Sequence, residues 1–213
     1  KEVRQDWWII QEIAKRMGLG WDYKSPKDIF DEMKLVMPSL DNISWERLEK
    51  DNHVTYPVKS ELIPGEDIIF TNGFPTSNNL AKIIPVNLIN PNDELNSDFP
   101  LILSTGRLLE HWHTGTMTRR ALVLNELEPD PMIFMSQVDS NFYNLDLNKS
   151  VIIETRRGKI SIKIRHDDDL LPGMIFLPFC FKEAAANILT NSDLDPIGKI
   201  PELKFSAARV YQN

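Results

Sequence analysis

The sequence predicts a mainly β fold, in which a closed β-barrel follows a small helical segment. Helical patterns dominate the start of the chain, whereas the second half holds short apolar runs separated by turn residues. One of these runs, from Ile160 to Ile164, alternates apolar and polar side chains, as a strand with one buried face does. Several short strands joined by turns, with little helix between them, are typical of closed barrels.

Composition divides the chain into three predicted parts. Residues 1–56 carry the helical patterns, residues 57–98 are rich in Pro, Asn and Gly, and residues 99–213 carry most of the strand patterns. Because turn-forming residues interrupt the apolar bursts of the middle part, we expect it to be a connector. The barrel domain is expected to begin at about Phe99.

Three helices are predicted in the first part. Asp6 is the expected N-cap of the first helix and Gly18 its stop, and one face carries Trp7, Ile10, Ala14 and Met17. Ser25 followed by Pro26 predicts the start of a second helix, and Ser44 predicts the start of a short third one. These helices are expected to form a small layer packed on a larger body.

Strands are predicted at short apolar runs in both the connector and the barrel part. The connector runs are IIF and AKIIPV. The barrel runs are PLILSTG, MIFMS, the two halves of VIIETRRGKISIKIRH on either side of Arg157-Gly158, the apolar part of DDDLLPGMIFLPFC, and LKFSAARVY. The run EAAANILT is expected to form a short helix before the last strand.

Charge and cysteine content exclude several functions. The net charge of -7 argues against non-specific nucleic-acid binding, which needs an excess of Lys and Arg. Cys180 is the single cysteine, so this chain alone forms no disulfide framework, all-cysteine zinc site or iron–sulfur cluster. No apolar run approaches the roughly 20 residues that span a bilayer, and residues 1–10, KEVRQDWWII, are not expected to be a secretory signal because they lack its apolar region and cleavage site. Because Lys1 stands where a start Met would, we expect a piece of a longer polypeptide.

The stretch STGRLLEHWHTGTMTRR, residues 104–120, concentrates hydrogen-bond donors after a predicted buried strand. Its hydroxyl, guanidinium and imidazole groups suit phosphates and the polar rings of a nucleotide-like ligand. Gly106 and Gly115 allow the backbone to approach such a ligand closely. From the residues alone, a polar surface loop that merely connects two elements is an equally good interpretation.

Two other chemistries find little support in the sequence. His111 and His113 invite a metal site, but no further ligands follow at zinc-binding spacing, so no metal ligand is predicted. Cys180 lies in the apolar run PFCF, which is typical of core packing, and the chain contains no G-x-S-x-G motif. No catalytic residue is therefore predicted in this chain.

Residues 104–120 closely resemble a signature of the large molybdopterin-dependent oxidoreductases, where it lies in the C-terminal dinucleotide-binding domain. The later segment PGMIFLPFCFKEAAANILTNSDLDPIGKIPELKFSAARV is similar to the end of that domain. Upstream, VMPSLDNISWERLEKDNHVTYPV and EDIIFTNGFPT resemble the preceding stretch of formate dehydrogenase alpha subunits, so residues 1–56 would be a helical remnant of the preceding domain. The resemblance covers nearly the whole chain, with separated motifs in the right order.

In that family the domain is a six-stranded double-psi β-barrel that binds molybdopterin guanine dinucleotide. The resemblance implies that the turn from Thr105 to Thr114 wraps the dinucleotide and its pterin, and that Phe179 lies near the substrate channel. The residues that it implies as cofactor contacts are Thr105, Gly106, Arg107, Leu108, Leu109, Glu110, His111, Trp112, His113, Thr114, Thr116, Asn187 and Lys204.

The resemblance implies oxidation of formate to CO2 by an enzyme that carries bis-molybdopterin guanine dinucleotide with Mo or W. The family's metal-ligating Cys or selenocysteine, its catalytic His and Arg, and its iron–sulfur cysteines have no counterpart here, so they are expected in the remaining domains of the alpha subunit. Electron-transfer subunits are expected partners, and the cytoplasm is the expected location. Periplasmic nitrate reductases share the GR-x-LEHWHTG-x-MTRR run and are one alternative; the other is a non-catalytic interaction barrel without cofactor.

Overall fold

Two units, Lys1–Pro85 and Val86–Asn213, make up the chain in a computed structural model that describes residues 2–212. The division falls within the predicted connector, and the predicted domain boundaries themselves stay predictions. None of the helices described has the length and apolar character that crossing a membrane requires.

The first unit contains three helices, and the starts of two of them follow from local sequence signals. The helices are α1 (Asp6–Arg16), α2 (Pro26–Val36) and α3 (Trp45–Asp51). Ser25 caps α2 as predicted: its hydroxyl accepts from the Asp28 N–H, and the Asp28 side chain accepts in return from the Ser25 N–H. Ser44 caps α3, since its hydroxyl accepts from the Arg47 N–H at 3.2 Å.

Helix α1 differs from its prediction in which side chains are buried. It begins one residue earlier than predicted, and no side chain caps it. Ile10 and Met17 of the predicted apolar face are 57% and 75% exposed, whereas Ala14 of that face is buried as predicted and Gln11, which lies outside it, is also buried. Gln11 is accommodated because its side-chain amide pairs with both backbone polar groups of Tyr23, at 2.6 and 3.1 Å. Helical periodicity does not reveal such a contact.

The two strands predicted in the connector are wrong. Between α3 and residue 100 the described chain forms turns and irregular structure. In the first run, Phe70 has a φ of 60°, which is incompatible with an extended strand. In the second run, Pro85 lacks an N–H for a strand ladder, and Ile83 is 91% exposed. These runs therefore have the apolar pattern of strands but pair with no neighbouring strand.

The second unit is a closed six-stranded barrel, so the predicted mainly β barrel is confirmed. Its strands lie where the sequence predicts them: β1 (Leu101–Gly106), β2 (Met132–Met135), β3 (Val151–Thr155), β4 (Lys159–His166), β5 (Met174–Pro178) and β6 (Ser206–Tyr211). They follow one another around the barrel in the order β1-β5-β2-β4-β3-β6. The pairs β1–β5 and β2–β4 are parallel, and the other pairs are antiparallel.

Short helical segments join the strands of the barrel. Two of them are α-helices, α4 (Leu122–Leu127) and α5 (Gln137–Phe142). The predicted helix EAAANILT is wrong, because the chain forms two separate 3-10 turns there, at Lys182–Ala184 and Ala186–Ile188. Ala185 between them has φ -64° and ψ 109°, an extended conformation that interrupts helical hydrogen bonding.

Alternation along the strands fills the barrel with aliphatic side chains. In β4, Ile160, Ile162 and Ile164 are buried while the residues between them are exposed or half-buried, as their alternation predicts. Leu103 of β1 is fully buried and lies in register with Ile175 of β5. The barrel interior is therefore a packed core, and a ligand has to bind outside it.

Asp93 fastens the segment before β1 to the barrel. Its buried carboxylate accepts hydrogen bonds from the guanidinium groups of Arg156 and Arg157, which lie in the β3–β4 turn. It also accepts from the backbone N–H of Ala207 in β6, at 2.7 Å. Burial by itself raises the pKa of Asp93, but the hydrogen bonds from Arg157, Ala207 and Arg156 outweigh it and hold the pKa below its usual range.

Candidate functional site

The register of β1 and β5 brings two distant parts of the sequence together. The strands are parallel, and Gly106 at the end of β1 is the register partner of Pro178 at the end of β5. The chain therefore leaves both strands at the same end of the barrel. From β1 it enters the donor-rich loop (residues 107–120), and from β5 it enters the post-β5 segment (residues 179–189). These are the two regions in which most of the cofactor contacts are predicted.

The end of β1 is held by close packing at Gly106 and by hydrogen bonds of Thr105. A Cβ atom at Gly106 would lie 2.5 Å from Cε2 of Phe176, so this ring packs directly on the backbone. One residue earlier, the Thr105 hydroxyl donates to the Leu203 carbonyl at 2.6 Å. The Thr105 carbonyl accepts from the Lys204 ammonium at 2.5 Å. Lys204, a predicted cofactor contact, is thereby tied to the end of β1.

His111 supports the donor-rich loop from inside. The residue is 1% exposed, and its ring meets that of Phe181 edge-on at 5.7 Å between centroids. Its Nε2 lies 2.8 Å from the Glu128 carbonyl, which can only accept, so Nε2 carries a proton. Its Nδ1 lies 3.2 Å from the Thr118 hydroxyl. Both ring nitrogens are therefore engaged within the protein.

Arg107, Trp112 and His113 form an exposed cluster at the start of the same loop. Arg107 donates from Nη2 to Nε2 of His113 at 3.2 Å, and its guanidinium carbon lies 5.8 Å from the Trp112 ring centroid. The Trp112 and His113 rings meet edge-on, 4.5 Å apart. His113 has a φ of 48°, a conformation that costs energy for a residue other than glycine. The cluster offers a positive charge and aromatic surface to solvent.

A cavity of about 310 Å³ lies between the end of β1, the donor-rich loop and the post-β5 segment; we name it the shared cavity. Four residues of the predicted site line it together: Thr105, Thr114, Phe179 and Asn187. The residues that the sequence did not single out for this site are Phe181, Lys182, Ala185, Ala186 and Leu203. The run PFCFK places apolar residues directly before a lysine at the end of a predicted strand, and this pattern could have pointed to Phe181 and Lys182.

The remaining predicted residues lie outside the shared cavity. Thr116 places its hydroxyl 3.2 Å from that of Thr114, close to the cavity without lining it. Leu109 is 97% exposed, and Leu108 and Glu110 are half-buried. The structure thus brings together one group of predicted residues at the cavity and another, around Arg107, in the exposed cluster.

Neither a metal centre nor a reactive thiol is evident in the described residues. Within residues 2–212, no group of three or more His, Cys, Asp or Glu side chains is arranged to hold a metal ion. Cys180 is buried, and this burial raises the pKa of its thiol to about 11. At neutral pH the thiol is therefore protonated and a poor nucleophile.

Gly115 is one of the points at which the donor-rich loop touches the post-β5 segment. It has a φ of 73°, and a Cβ atom there would lie 2.8 Å from the Cys180 carbonyl oxygen. We expect Gly115→Ala to destabilise the barrel by about 1–3 kcal/mol. The new methyl group would collide with backbone, which cannot move aside easily, and alanine is strained at this positive φ. Urea unfolding measures this, and Gly20→Ala is the control because no atom lies within 4 Å of a Cβ there. Equal unfolding free energies for the two variants would contradict the expectation.

Known proteins are similar to this chain in sequence and in fold over nearly its whole length. The F420-dependent formate dehydrogenase subunit alpha of Methanocaldococcus jannaschii is 37% identical over 98% of this chain and 31% of its own length. The assimilatory nitrate reductase catalytic subunit of Bacillus subtilis is 28% identical over 98% of this chain and 31% of its own length. Among solved structures, acetylene hydratase from Pelobacter acetylenicus matches the fold with a TM-score of 0.65 at 20% identity, covering 100% of this chain and 33% of that one.

The chain thus spans about 31% of the length of each of these two curated relatives. A family model described as the molydopterin dinucleotide binding domain matches residues 101–207, from the first residue of β1 into β6. This match covers about half of the chain, and it confirms the family that residues 104–120 and the end of the chain resemble. The chain belongs to the molydopterin dinucleotide binding domain family.

Proposed function

We propose that this chain binds molybdopterin guanine dinucleotide at the shared cavity, as the C-terminal cofactor-binding region of a formate dehydrogenase catalytic subunit. The observation that carries the proposal is the meeting of Thr105 and Thr114 with Phe179 and Asn187 in one cavity. These residues come from segments far apart in the sequence, and the resemblance implies for each of them a role at the cofactor or at the substrate channel. If residues 107–120 only connected two strands, there would be no reason for these four residues to meet in one cavity.

The lining of the shared cavity suits a planar heterocycle with polar edges. Phe179 and Leu203 supply apolar surface, against which a ring can stack. The Asn187 amide offers two donor hydrogens and an acceptor oxygen, and Lys182 offers a positive charge. A pterin presents matching donors and acceptors along its edge, so the donor set fits the group.

We assign different tasks to the residues of the predicted site. Thr114 and Asn187 would bind the ring edge directly, and Thr105 and Lys204 would fix the end of β1 beneath it. His111 would act as an internal support of the loop, since its two nitrogens are engaged. The exposed cluster around Arg107 would offer its charge to the anionic part of the ligand. Gly106, Leu108, Leu109, Glu110, Trp112, His113 and Thr116 remain proposed contacts on the resemblance.

The proposed reaction of the whole enzyme is the oxidation of formate to CO2, with release of a proton and two electrons. Bound bis-molybdopterin guanine dinucleotide with Mo or W supplies the redox chemistry, and this chain supplies binding and orientation. The remaining alpha-subunit domains are the proposed source of the metal ligand and of iron–sulfur clusters, and electron-transfer subunits are proposed partners. Formate is favoured because a relative named as a formate dehydrogenase is 37% identical, against 28% for one named as a nitrate reductase.

The finer structural predictions belong to the same proposal. We propose the double-psi topology for the barrel, supported by its two parallel strand pairs within an otherwise antiparallel closed sheet. We keep residues 1–56 as part of the preceding domain, residues 57–98 as the connector and residues 99–213 as the dinucleotide-binding domain. A location in the cytoplasm rests on the resemblance alone.

Loss of bound pterin in Asn187→Ala tests the proposal. The polypeptide that contains this chain is purified as wild type, as Asn187→Ala and as Arg107→Ala, and the released pterin is measured per mole of folded protein. We expect at least about ten-fold weaker pterin binding in Asn187→Ala, because losing its paired hydrogen bonds costs about 1.4 kcal/mol or more. Arg107→Ala is expected to weaken pterin binding less than Asn187→Ala does, since the Arg107 guanidinium is exposed to solvent.

The matched control is Asn141→Ala, which changes an exposed asparagine on α5 outside the shared cavity. This variant should retain the pterin content of the wild type. Unchanged pterin content in both Asn187→Ala and Arg107→Ala would overturn the proposal and favour the interaction barrel without cofactor.

A further inference from the structure

Asn72 and Gly73 lie in an exposed turn of the first unit, in a part of the chain that contributes no residue to the candidate site. The Gly73 N–H donates to the Phe70 carbonyl at 3.1 Å and closes this turn. An asparagine that precedes glycine is especially prone to lose its side-chain amide, because glycine has no Cβ atom to keep its nitrogen away from the asparagine side chain. The sequence contains this pair once. How readily the amide is lost depends on how the fold holds the two residues.

The side chain of Asn72 is free to rotate. Asn72 is exposed to solvent, and its side-chain amide forms no hydrogen bond with another described residue. It borders a cavity of about 260 Å³, which the ion pair of Lys59 and Glu66 also lines, so the side chain can turn without displacing other atoms. Neither burial nor a hydrogen bond therefore keeps Cγ of Asn72 away from the Gly73 nitrogen.

The turn that holds the Gly73 nitrogen is strained at its first residue. Phe70 has a φ of 60°, in the left-handed region, which costs energy for a bulky side chain. Opening the hydrogen bond between Gly73 and Phe70 lets Phe70 leave this conformation, so relief of strain offsets part of the lost bond. Gly73 has a φ of 114° and, as a glycine, can change its backbone angles readily. The nitrogen is therefore released from its hydrogen bond at a small cost.

Two other asparagines, Asn96 and Asn191, precede a small residue, serine, and the fold restrains both. The side-chain oxygen of Asn96 accepts from two backbone N–H groups, at 2.9 and 3.0 Å. Asn191 is buried, and its side-chain nitrogen donates to two oxygens, at 2.8 and 3.1 Å. Asn72 differs from both because it combines a glycine neighbour with a side chain that no hydrogen bond holds.

We propose that Asn72 is a site of spontaneous deamidation, which proceeds through a cyclic succinimide. The Gly73 nitrogen gives up its proton and attacks Cγ of Asn72, so that a new C–N bond closes the ring. The side-chain amide group takes up a proton and leaves as ammonia. Water then opens the ring at either carbonyl and leaves aspartate or isoaspartate, without any oxidation or reduction. Both products add a negative charge to the cavity, and isoaspartate also lengthens the backbone of the turn by one carbon.

The test is incubation of the polypeptide that contains this chain at neutral and mildly alkaline pH, followed by peptide mapping with a mass spectrometer. We expect deamidation at Asn72 to be at least about ten-fold faster than at Asn96. Its rate should rise with pH, because the attacking nitrogen has to lose its proton. The same measurement in guanidinium chloride separates the fold from the sequence. Unfolding should speed the reaction more at Asn96, which loses its restraining hydrogen bonds, than at Asn72.

Asn72→Gln and Asn96→Gln are the matched variants, since both replace an exposed asparagine. A glutamine has to close a larger and less favoured ring, so the reaction at its position should slow. Isoaspartate is labelled by enzymatic methyl transfer from S-adenosylmethionine to its free carboxyl group. Asn72→Gln should lose most of the label that the folded wild type acquires, whereas Asn96→Gln should retain it. Equal labelling of the two variants, or deamidation at Asn72 no faster than at Asn96, would overturn the proposal.

Discussion

Asp93→Ala is expected to lower the free energy of unfolding of the barrel unit by about 3 kcal/mol. The substitution removes a carboxylate that is 5% exposed and that accepts from Arg156, Arg157 and the Ala207 N–H. Breaking a buried ion pair leaves unpaired charges behind, which costs more than the pair contributes. The two guanidinium groups are a quarter to a third exposed and can turn to water, so the effect lies at the low end of the range for such pairs.

The effect of Asp93→Ala should depend on pH in one direction. Because the pKa of Asp93 is lower in the folded state than in the unfolded chain, its contribution is fully present above the ordinary aspartate pKa of about 3.9 and is lost as pH falls through the folded value. The difference between wild type and variant should therefore be constant near neutral pH and shrink below about pH 4. Urea unfolding at a series of pH values measures it.

Asp98→Ala is the matched control for this variant. Asp98 lies five residues further along the same segment, and its side chain is exposed. Its replacement should change the unfolding free energy by less than about 0.5 kcal/mol. An Asp93→Ala variant as stable as Asp98→Ala would show that the Asp93 contacts do not hold the segment to the barrel.

Leu103→Ala is the second substitution with a large expected effect: it should lower the free energy of unfolding of the barrel unit by about 3 kcal/mol at neutral pH. Leu103 is 0% exposed and lies in the middle of β1, in register with Ile175 of β5 and Ser206 of β6. Strands on both sides hold the backbone, so the core cannot collapse into the space that the leucine leaves. Denaturant unfolding of the barrel unit, monitored by circular dichroism, measures the loss.

Leu109→Ala provides a control of the same chemistry a few residues away. Leu109 is 97% exposed in the donor-rich loop, so its truncation should leave the unfolding free energy within about 0.5 kcal/mol of the wild type. A comparable loss of stability in both variants would mean that the stability of the unit does not reside in the barrel interior.

The strands of the barrel are predictable from sequence because each combines an apolar pattern with a turn beside it. The alternation in β4 identifies its buried face, and Ser25 with Pro26 identifies the start of α2. The connector runs show where this reasoning fails. Apolar residues such as Ile83 satisfy a strand pattern, but pairing requires a neighbouring strand, and a local pattern carries no information about neighbours.

The residues of the candidate site are predictable individually, whereas their arrangement is not. The resemblance implies that Thr114 and Asn187 contact one cofactor, but their spacing in the sequence does not show that they line one cavity, because this follows from the parallel register of β1 and β5. His111 was predicted among the polar contacts, yet its ring is buried and bonded within the protein. The burial of Asp93 and its contacts with the barrel could not be predicted, since an aspartate among Pro and Asn residues is typical of an exposed turn.

Closure of the strand order also decides how anything can associate with this barrel. Each of the six described strands is hydrogen-bonded on both sides, and β6 completes the ring by pairing with β1 and β3 at once. The sheet consequently offers no open edge onto which an extended peptide could be added as a further strand. Recognition at this unit is left to side chains and loops, so its specificity can change by loop substitution while the backbone ladder stays intact.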